Sequence, residues 1–175
     1  QIGTTGDDGG LAFNTANSYI HELTYSPAVL IKFGFGGYQN VRGFIGLSDQ
    51  TLATAVGSDD PAGLRVGVQY SVGRPDTTFQ FTIRDGTTTT LTSSSVTPTL
   101  GLAYYVLVAG SAANADWAIS IYDNTFALLD TTSTTADIPD TGDTMNPMAA
   151  FELRDTTAQD LQLYFIRGVN RIGGV

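Results

Sequence analysis

Apolar side chains alternate with polar or small ones in six segments of this chain, at residues 31–35, 64–70, 79–83, 117–121, 149–153 and 161–165. Because successive side chains of a strand point to opposite faces of a sheet, each segment predicts a strand with one face on a core. Segment 102–108 (LAYYVLV) is apolar on both faces and predicts a central strand. No segment has the period of a long amphipathic helix, although 48–56 (SDQTLATAV) allows one short helical turn.

Turn-forming residues separate the predicted strands at short intervals. Asp123 and Asn124 predict a β-hairpin between the strand of Trp117 and segment 125–131. Many short strands divided by such turns are typical of an antiparallel sandwich or barrel. The pattern therefore predicts an all-β fold, a two-sheet antiparallel β-sandwich of about a dozen strands.

The predicted strands belong to one domain. A length of 175 residues suits a single domain with its own core. Gly and Asp dominate residues 1–16, which predicts a flexible N-terminal arm or linker before a β-sandwich domain at residues 17–175. The Thr- and Ser-rich segment 87–97 predicts an exposed β-hairpin, and a polar ledge for assembly or for a sugar is the alternative.

Composition and charge argue against some classes of binding partner. Charged residues make up 14% of the chain, its net charge is −9, and Thr, Ser, Gly and Ala replace the missing charge. Extracellular β-proteins and virion proteins commonly have this profile. Seven scattered arginines and the single lysine, Lys32, do not form the basic cluster that nucleic-acid binding needs. No apolar run approaches the roughly 20 residues of a membrane-spanning helix, so no membrane contact is predicted.

Groupings typical of catalysis are absent from the sequence. His21 is the only histidine, and no G-x-S-x-G motif or phosphate loop occurs. Glu22 and Glu152 stand apart, whereas glycosidases need two carboxylates across the scissile bond. For Glu152 we expect a same-face ion pair with Arg154 or a cross-strand pair. The sequence predicts no enzymatic activity, and a pair of aspartates assembled by folding is the alternative left for a hydrolase.

Aspartates cluster in predicted loops, where calcium ligands often lie. The groups are Asp7 and Asp8, Asp59 and Asp60, and Asp137, Asp140 and Asp143. None has the spacing of a known calcium loop, and turn formation explains loop aspartates without a metal. No cofactor is therefore predicted, except that Asp59 and Asp60 are the candidate ligands if Ca²⁺ binds.

Exposed aromatic rings are the candidates for stacking against a sugar. The candidates by residue type are Tyr38, Tyr70, Tyr104, Tyr105, Trp117 and Tyr122, and among them Tyr38, in a Gly-rich turn (FGFGGYQN), is expected to be the most exposed. Tyr70 and Trp117 occupy apolar faces of their strands, which predicts core positions. We therefore take Tyr38, Tyr105 and Tyr122 as candidate glycan-binding residues.

A set of short motifs resembles phage and other viral structural proteins. The motifs are 42–47 (RGFIGL), 58–61 (SDDP), 67–71 (GVQYS), 74–80 (RPDTTFQ), 134–139 (TTADIP) and 161–169 (LQLYFIRGV). Together the resemblance covers most of residues 17–173. The family is similar to the concanavalin A-like lectin and glucanase sandwich, which implies two curved sheets wound as a jelly roll. The catalytic carboxylates of the glucanases have no match here, and neither has the metal site of the lectins.

The resemblance implies a non-enzymatic virion structural protein on the surface of a phage-like particle, of the capsid-decoration, head-fibre or tail-fibre type. Such a domain is expected to bind other virion proteins and to form a homo-oligomer, with a trimer favoured. Arm residues Leu11, Ala12 and Phe13 are then expected to become ordered only in the assembly. The alternative is a lectin-like carbohydrate-binding module that recognises a host-surface glycan.

Overall fold

A computed structural model describes residues 8–12, 21–22, 26–35, 41–111, 116–140, 143–154 and 161–170. In these residues twelve strands and one helix follow one another along the chain. Their order is β1 (Asp8–Ala12), β2 (His21–Glu22), β3 (Pro27–Phe35), β4 (Val41–Ser48), α1 (Leu52–Val56), β5 (Gly63–Ser71), β6 (Gln80–Gly86), β7 (Thr89–Ser93), β8 (Ala103–Gly110), β9 (Trp117–Tyr122), β10 (Leu128–Thr134), β11 (Thr144–Leu153) and β12 (Leu161–Asn170).

The strands form two antiparallel sheets. One has the order β1-β11-β4-β5-β6-β7, with β2 also paired to β11, and makes a seven-stranded sheet. The other has the order β10-β9-β8-β3-β12. The doubly apolar segment is β8, at the centre of the five-stranded sheet, and β9 and β10 pair as the predicted hairpin. The predicted all-β antiparallel sandwich is therefore confirmed.

The core lies between the two sheets and is built from the alternating apolar positions. Trp117 and Phe33 are fully buried there, and Tyr70 is nearly so. Phe79 meets Phe33 and Tyr104 edge to face, with ring centroids 5.9 and 5.3 Å apart. Such ring pairs stabilise a core beyond the burial of their area. The core positions predicted for Tyr70 and Trp117 are confirmed.

Helix α1 covers part of the outer face of the seven-stranded sheet. The Thr51 hydroxyl accepts a hydrogen bond from the Thr54 N–H (3.3 Å), which caps the first turn of the helix. Ala55 and Val56 pack against apolar side chains of β4 and β11, among them Phe44 and Met148. No helix in the described part of the chain is long and apolar enough to cross a membrane.

Part of the expected N-terminal arm lies in a sheet. Residues 8–12 form β1, and Leu11 and Ala12 stand opposite Ala149 and Met148 of β11. Residues 8–12 are thus paired with β11 in the sheet, whereas a flexible arm was expected at residues 1–16. Phe13 and residues 1–7 lie outside the described residues.

Candidate functional site

Five side chains form one row across the outer face of the five-stranded sheet. Leu128 stands opposite Tyr122, Tyr122 opposite Tyr105, Tyr105 opposite Lys32, and Lys32 opposite Phe165. We call these five residues the cross-strand row. Each strand of the sheet supplies one residue, and strands lie about 4.8 Å apart, so the row is about 19 Å long.

The β9–β10 hairpin adds a further ring to the row. The Phe126 ring stacks on Tyr122, with centroids 4.6 Å apart and planes 6° apart, and meets the edge of Tyr105 at 5.0 Å. Phe126 has a φ of 67°, in the left-handed region that costs a non-glycine residue about 1–2 kcal/mol. The turn is held by the Asp123 carboxylate, which accepts hydrogen bonds from the N–H groups of Thr125 (2.8 Å) and Ala127 (2.9 Å).

The hydrogen bonds to Asp123 also change the pKa of its carboxyl. The Thr125 hydroxyl donates to Asp123 at 2.7 Å, and this bond, followed by the Ala127 N–H, lowers the pKa of the Asp123 carboxyl. The carboxylate form is therefore the form that holds the hairpin and, through it, the Phe126 ring.

Two β-bulges lie at the ends of the row. The register shifts between Leu128 and Asp130 in β10, and between Leu163 and Phe165 in β12. The second bulge places the Tyr164 ring 5.0 Å from Lys32 Nζ, while the Tyr105 ring lies 4.8 Å from the same atom. Bulges redirect side chains at sheet edges and beside functional sites. Lys32 is thus held between two aromatic rings.

The row and the two rings beside it, Phe126 and Tyr164, are open to solvent. The exposed fractions are 51% for Phe126, 55% for Leu128, 52% for Tyr164 and 39% for Phe165. Scattered exposed hydrophobic residues are ordinary, but a continuous apolar patch marks an interaction surface. The aromatic residues here are in mutual contact, so they form such a patch.

A cleft of about 460 Å³ adjoins the hairpin end of the row. It lies between segment 96–104 and hairpin residues 123–129, and its polar groups include Thr97, Thr99 and Asn124. The Tyr104 hydroxyl accepts from the Thr99 N–H (3.0 Å) and donates to the Thr97 carbonyl oxygen (3.4 Å), which fixes the wall of the cleft. Apolar surface with a few fixed polar groups is typical of a ligand site.

On the outer face of the seven-stranded sheet, ion pairs hold a loop against the strands. The loop before β5 lies on the seven-stranded sheet, where Asp59 Oδ1 accepts from Arg42 Nε at 2.9 Å and from the Ser71 hydroxyl. Asp60 contacts Arg65 Nη2 and lies 3.4 Å from Arg84 Nη1. We call the loop residues Asp59 and Asp60, together with the arginines that they contact, the loop clip.

The pKa values of Asp59 and Arg65 are both shifted in the loop clip. Burial alone raises the pKa of Asp59, but the hydrogen bond from Ser71 and the charge of Arg42 outweigh it, so the pKa is lowered. Burial lowers the pKa of Arg65 to about 10. Arg65 therefore stays charged at neutral pH, with Asp60 as its counter-charge.

The candidate calcium ligands are members of the loop clip. Guanidinium groups supply positive charge to Asp59 and Asp60, where a cation would otherwise supply it. Within the described ranges, no group of three or more His, Cys, Asp or Glu side chains is placed to hold a metal. The arrangement gives the candidate calcium site at these two residues no support.

Glu152 is paired across the strands. Its Oε2 accepts from Arg42 Nη1 at 3.0 Å, and the two residues stand opposite each other on β11 and β4. Of the two expectations, the cross-strand pair is therefore the one observed. Arg42 also donates to the Val56 carbonyl oxygen (2.7 Å), so its guanidinium joins β11, α1 and the loop clip.

The sequence identified part of the cross-strand row. The structure places Tyr105 and Tyr122 side by side in it, while Tyr38 lies outside the described residues. Sequence reasoning missed Phe126, Tyr164 and Phe165, because their positions depend on the hairpin turn and on a bulge. One signal was present in the sequence: Lys32, the only lysine, interrupts an apolar strand.

Comparison with known proteins supports the fold. No family model matches the chain, and no curated protein matches it. Among solved structures, a protein of unknown function from Shewanella oneidensis MR-1, SO2946, has a TM-score of 0.62 at 11% identity, covering 98% of this chain and 78% of that one. Peanut lectin has a TM-score of 0.56 at 12% identity, covering 93% of this chain and 80% of that one.

A phage module has the same degree of similarity. The CBM2 module of the evolved Dit of Lactobacillus casei BL23 phage J-1 has a TM-score of 0.56 at 12% identity, covering 100% of this chain and 76% of that one. A family 7 alginate lyase has a TM-score of 0.52 at 10% identity, covering 97% of this chain and 71% of that one, so a binding protein and an enzyme share this architecture. The comparisons establish a lectin-like jelly-roll β-sandwich, which confirms the expected concanavalin A-like architecture.

Proposed function

We propose that this chain is a carbohydrate-binding domain that acts by binding and not by catalysis, with the cross-strand row as its glycan-binding surface. The observation that carries this proposal is the set of contacting, half-exposed rings on the open outer face of a lectin-like sandwich. The opposite outer face is closed by the loop clip, so it offers no comparable surface among the described residues.

The chemistry of the row suits a sugar chain. A pyranose ring has one face rich in C–H groups, and burying that face on an aromatic ring removes apolar surface from water. Phe126 and Phe165 offer ring faces without a polar group, while Tyr105 and Tyr122 add hydroxyls that exchange hydrogen bonds with sugar hydroxyls. The adjoining cleft, with Thr97 and Asn124, adds polar partners at the hairpin end.

A glycan array followed by titration of the binding sugars tests this proposal. We expect the wild-type chain to bind a defined set of glycans and Phe126→Ala to weaken binding by about tenfold or more, as truncation of a central aromatic contact does. Leu91→Ala is the matched control, because Leu91 is 39% exposed on the edge strand of the other sheet. Absence of any bound glycan, or equal binding by both variants, would refute the proposal.

The second candidate function is that of a virion structural protein at the surface of a phage-like particle, as a decoration or fibre domain. The specific support is the set of viral motifs in the sequence, together with the similarity in fold to a phage Dit module. Under this proposal the domain binds other virion proteins and forms a homo-oligomer, with a trimer favoured, and a glycan-binding row is compatible with it.

Light scattering of the purified chain, with and without candidate shell particles, tests the second candidate. A stable trimer, or binding to the particles, is the result expected for a decoration or fibre domain. A monomer that does not bind the particles would contradict it and would leave the carbohydrate-binding proposal standing, because that proposal requires no assembly.

A further inference from the structure

The outer face of the five-stranded sheet has the opposite charge from the rest of the chain. Beside the cross-strand row runs a second row, in which Arg167, Leu30, Leu107, Ser120 and Thr131 stand opposite one another in turn. A third row, next to the second, contains Ala28, Ala109, Ala118 and Ser133. The charged residues of these three rows are Lys32 and Arg167, both cationic, although the whole chain has a net charge of −9.

Both cations are available to a ligand. Lys32 is half-buried between the rings of Tyr105 and Tyr164, and Arg167 is exposed. Within the described ranges neither side chain forms an ion pair, whereas Arg42, Arg65, Arg74 and Arg84 all do. The two cations are therefore unlike the other described basic residues of the sandwich, apart from the exposed Arg154.

The sheet register brings the two cations together. Lys32 stands opposite Phe165, and Arg167 lies two residues further along the same strand and on the same face. Diagonal neighbours of this kind lie about 7–8 Å apart. Two positive groups at this separation, beside exposed rings, fit an anionic group attached to a sugar ring.

Acidic groups lie at the margin of this surface. The Asp130 carboxylate is turned away, because it accepts from the Ser95 N–H and hydroxyl, at 2.6 and 3.0 Å. Asp123 Oδ1 is occupied by the hairpin turn at the far end of the cross-strand row. Among the described residues, the Lys32 and Arg167 end therefore keeps a positive character, and at physiological salt charges more than about 8 Å away are largely screened.

We infer that the ligand of the cross-strand row is an acidic polysaccharide, whose carboxylate or phosphate groups bind Lys32 and Arg167 while its sugar rings pack on the aromatic side chains. This inference rests on the proposed carbohydrate-binding function. The ammonium of Lys32 and the planar guanidinium of Arg167 make charge-assisted hydrogen bonds with such groups, and a guanidinium matches a carboxylate or phosphate with two donors.

Matched pairs of polymers test the inference on the full chain. Polygalacturonate and its methyl ester have the same sugar rings but differ in carboxylate charge. Phosphorylated mannan and plain mannan likewise have the same sugar rings but differ in phosphate charge. We expect tighter binding to at least one acidic polymer than to its neutral partner. Lys32→Met and Arg167→Gln should each weaken binding of that acidic polymer about fivefold, the upper range for a partly exposed ion pair, and leave neutral polymers unaffected.

Three variants separate this inference from the proposed function. Lys32→Arg keeps the charge and should retain binding, and Arg154→Gln removes one charge from an exposed residue beyond β11 and should change nothing. Phe126→Ala should weaken acidic and neutral polymers alike. Equal binding of charged and neutral partners, with Phe126→Ala still weakening both, would overturn the acidic ligand alone. Failure of every polymer and of the glycan array would overturn both.

Discussion

The contribution of the loop clip to the free energy of unfolding can be tested quantitatively. Asp60→Asn keeps the shape of the side chain and removes its charge. The Arg65 side chain is 2% exposed, so its guanidinium stays buried, with the Pro61 carbonyl oxygen at 2.9 Å and Thr82 Oγ1 at 3.2 Å as its other acceptors. We expect the variant to fold with a lower free energy of unfolding.

The size of the loss follows from the contacts of Asp60. In the variant the Arg65 guanidinium stays charged and faces a neutral acceptor in place of a carboxylate. A hydrogen bond between two charged groups contributes about 1.5–3 kcal/mol, and we assign about half of that to the lost charge of Asp60, so the Arg65 contact loses about 1–1.5 kcal/mol. The Arg84 contact at 3.4 Å is partly exposed and adds about 0.5 kcal/mol. The sum is about 2 kcal/mol. With a urea m-value of about 2.5 kcal/mol/M, the midpoint should fall by about 0.8 M.

Urea unfolding of the wild type, of Asp60→Asn and of Asp116→Asn provides the measurement. Asp116 makes no ion pair with the described residues, so its variant controls for the loss of one negative charge. Equal midpoints for the two variants would refute the proposed role of the clip. The same assay with Ca²⁺ and with a chelator separates the clip from the candidate calcium site. We expect no effect of either on the wild type, whereas a calcium site would raise its midpoint with Ca²⁺ and lose that effect in Asp60→Asn.

Three further measurements follow from the packing. Gly67→Ala should cost about 3 kcal/mol in urea unfolding, because a Cβ there would lie 2.2 Å from the Ile45 carbonyl oxygen; Gly101→Ala, with open space at that position, should cost about 1 kcal/mol for its positive φ. Trp117, the only tryptophan, is fully buried, so its fluorescence should resist iodide until unfolding, and quenching in the native state would contradict the core assignment. Because the folded-state pKa of Asp59 lies below its ordinary value of 3.8, its stabilisation is present above that pH and is lost as the pH falls through the lowered pKa. Asp59→Asn should therefore have an unfolding free energy that falls less on acidification than that of the wild type, and parallel curves would contradict the assignment.

Alternation along the chain predicted the sheets, because each strand has one face on the core. A segment apolar on both faces predicted β8 at the centre of its sheet, and a turn signal predicted the β9–β10 hairpin, since both are local patterns. Alternation did not predict β1, where Gly9 and Gly10 present no side chains to alternate. That segment is ordered by the backbone groups of β11, and a distant pairing partner leaves no local signal.

The candidate site was less predictable than the fold, for a physical reason. Tyr105 and Tyr122 were identified by residue type, but the row also needs the register of four strand pairs and two bulges. A shift of one residue in any pair would move a side chain to the core face. Phe126 adds a left-handed backbone that only the closed hairpin turn explains.

The location of the motifs that resemble viral structural proteins decides how much they say about function. The polar residues of four of them, 42–47, 58–61, 67–71 and 74–80, converge on the loop clip: Arg42 donates to Asp59, and Arg74 donates to the Asp59 carbonyl oxygen (2.9 Å) and to Asp76 (2.8 Å). The Ser71 N–H also donates to the Asp76 carboxylate (2.8 Å). These four motifs therefore describe how a loop is fixed to the seven-stranded sheet, which is a requirement of the fold, whereas motif 161–169 lies in β12 of the other sheet and supplies Phe165 to the cross-strand row.

A requirement of the fold can be shared by proteins that bind different partners, so these four motifs bear on a virion role only through common architecture. The cross-strand row lies on the other sheet, and none of its five residues belongs to the clip. Substitutions in the two regions should therefore have different effects. Those in the clip should lower stability and leave the affinity of the folded protein unchanged. Those in the row should lower affinity and leave stability unchanged. A clip variant that stays folded and loses binding would show that the two faces are coupled, and the motifs would then bear on function directly.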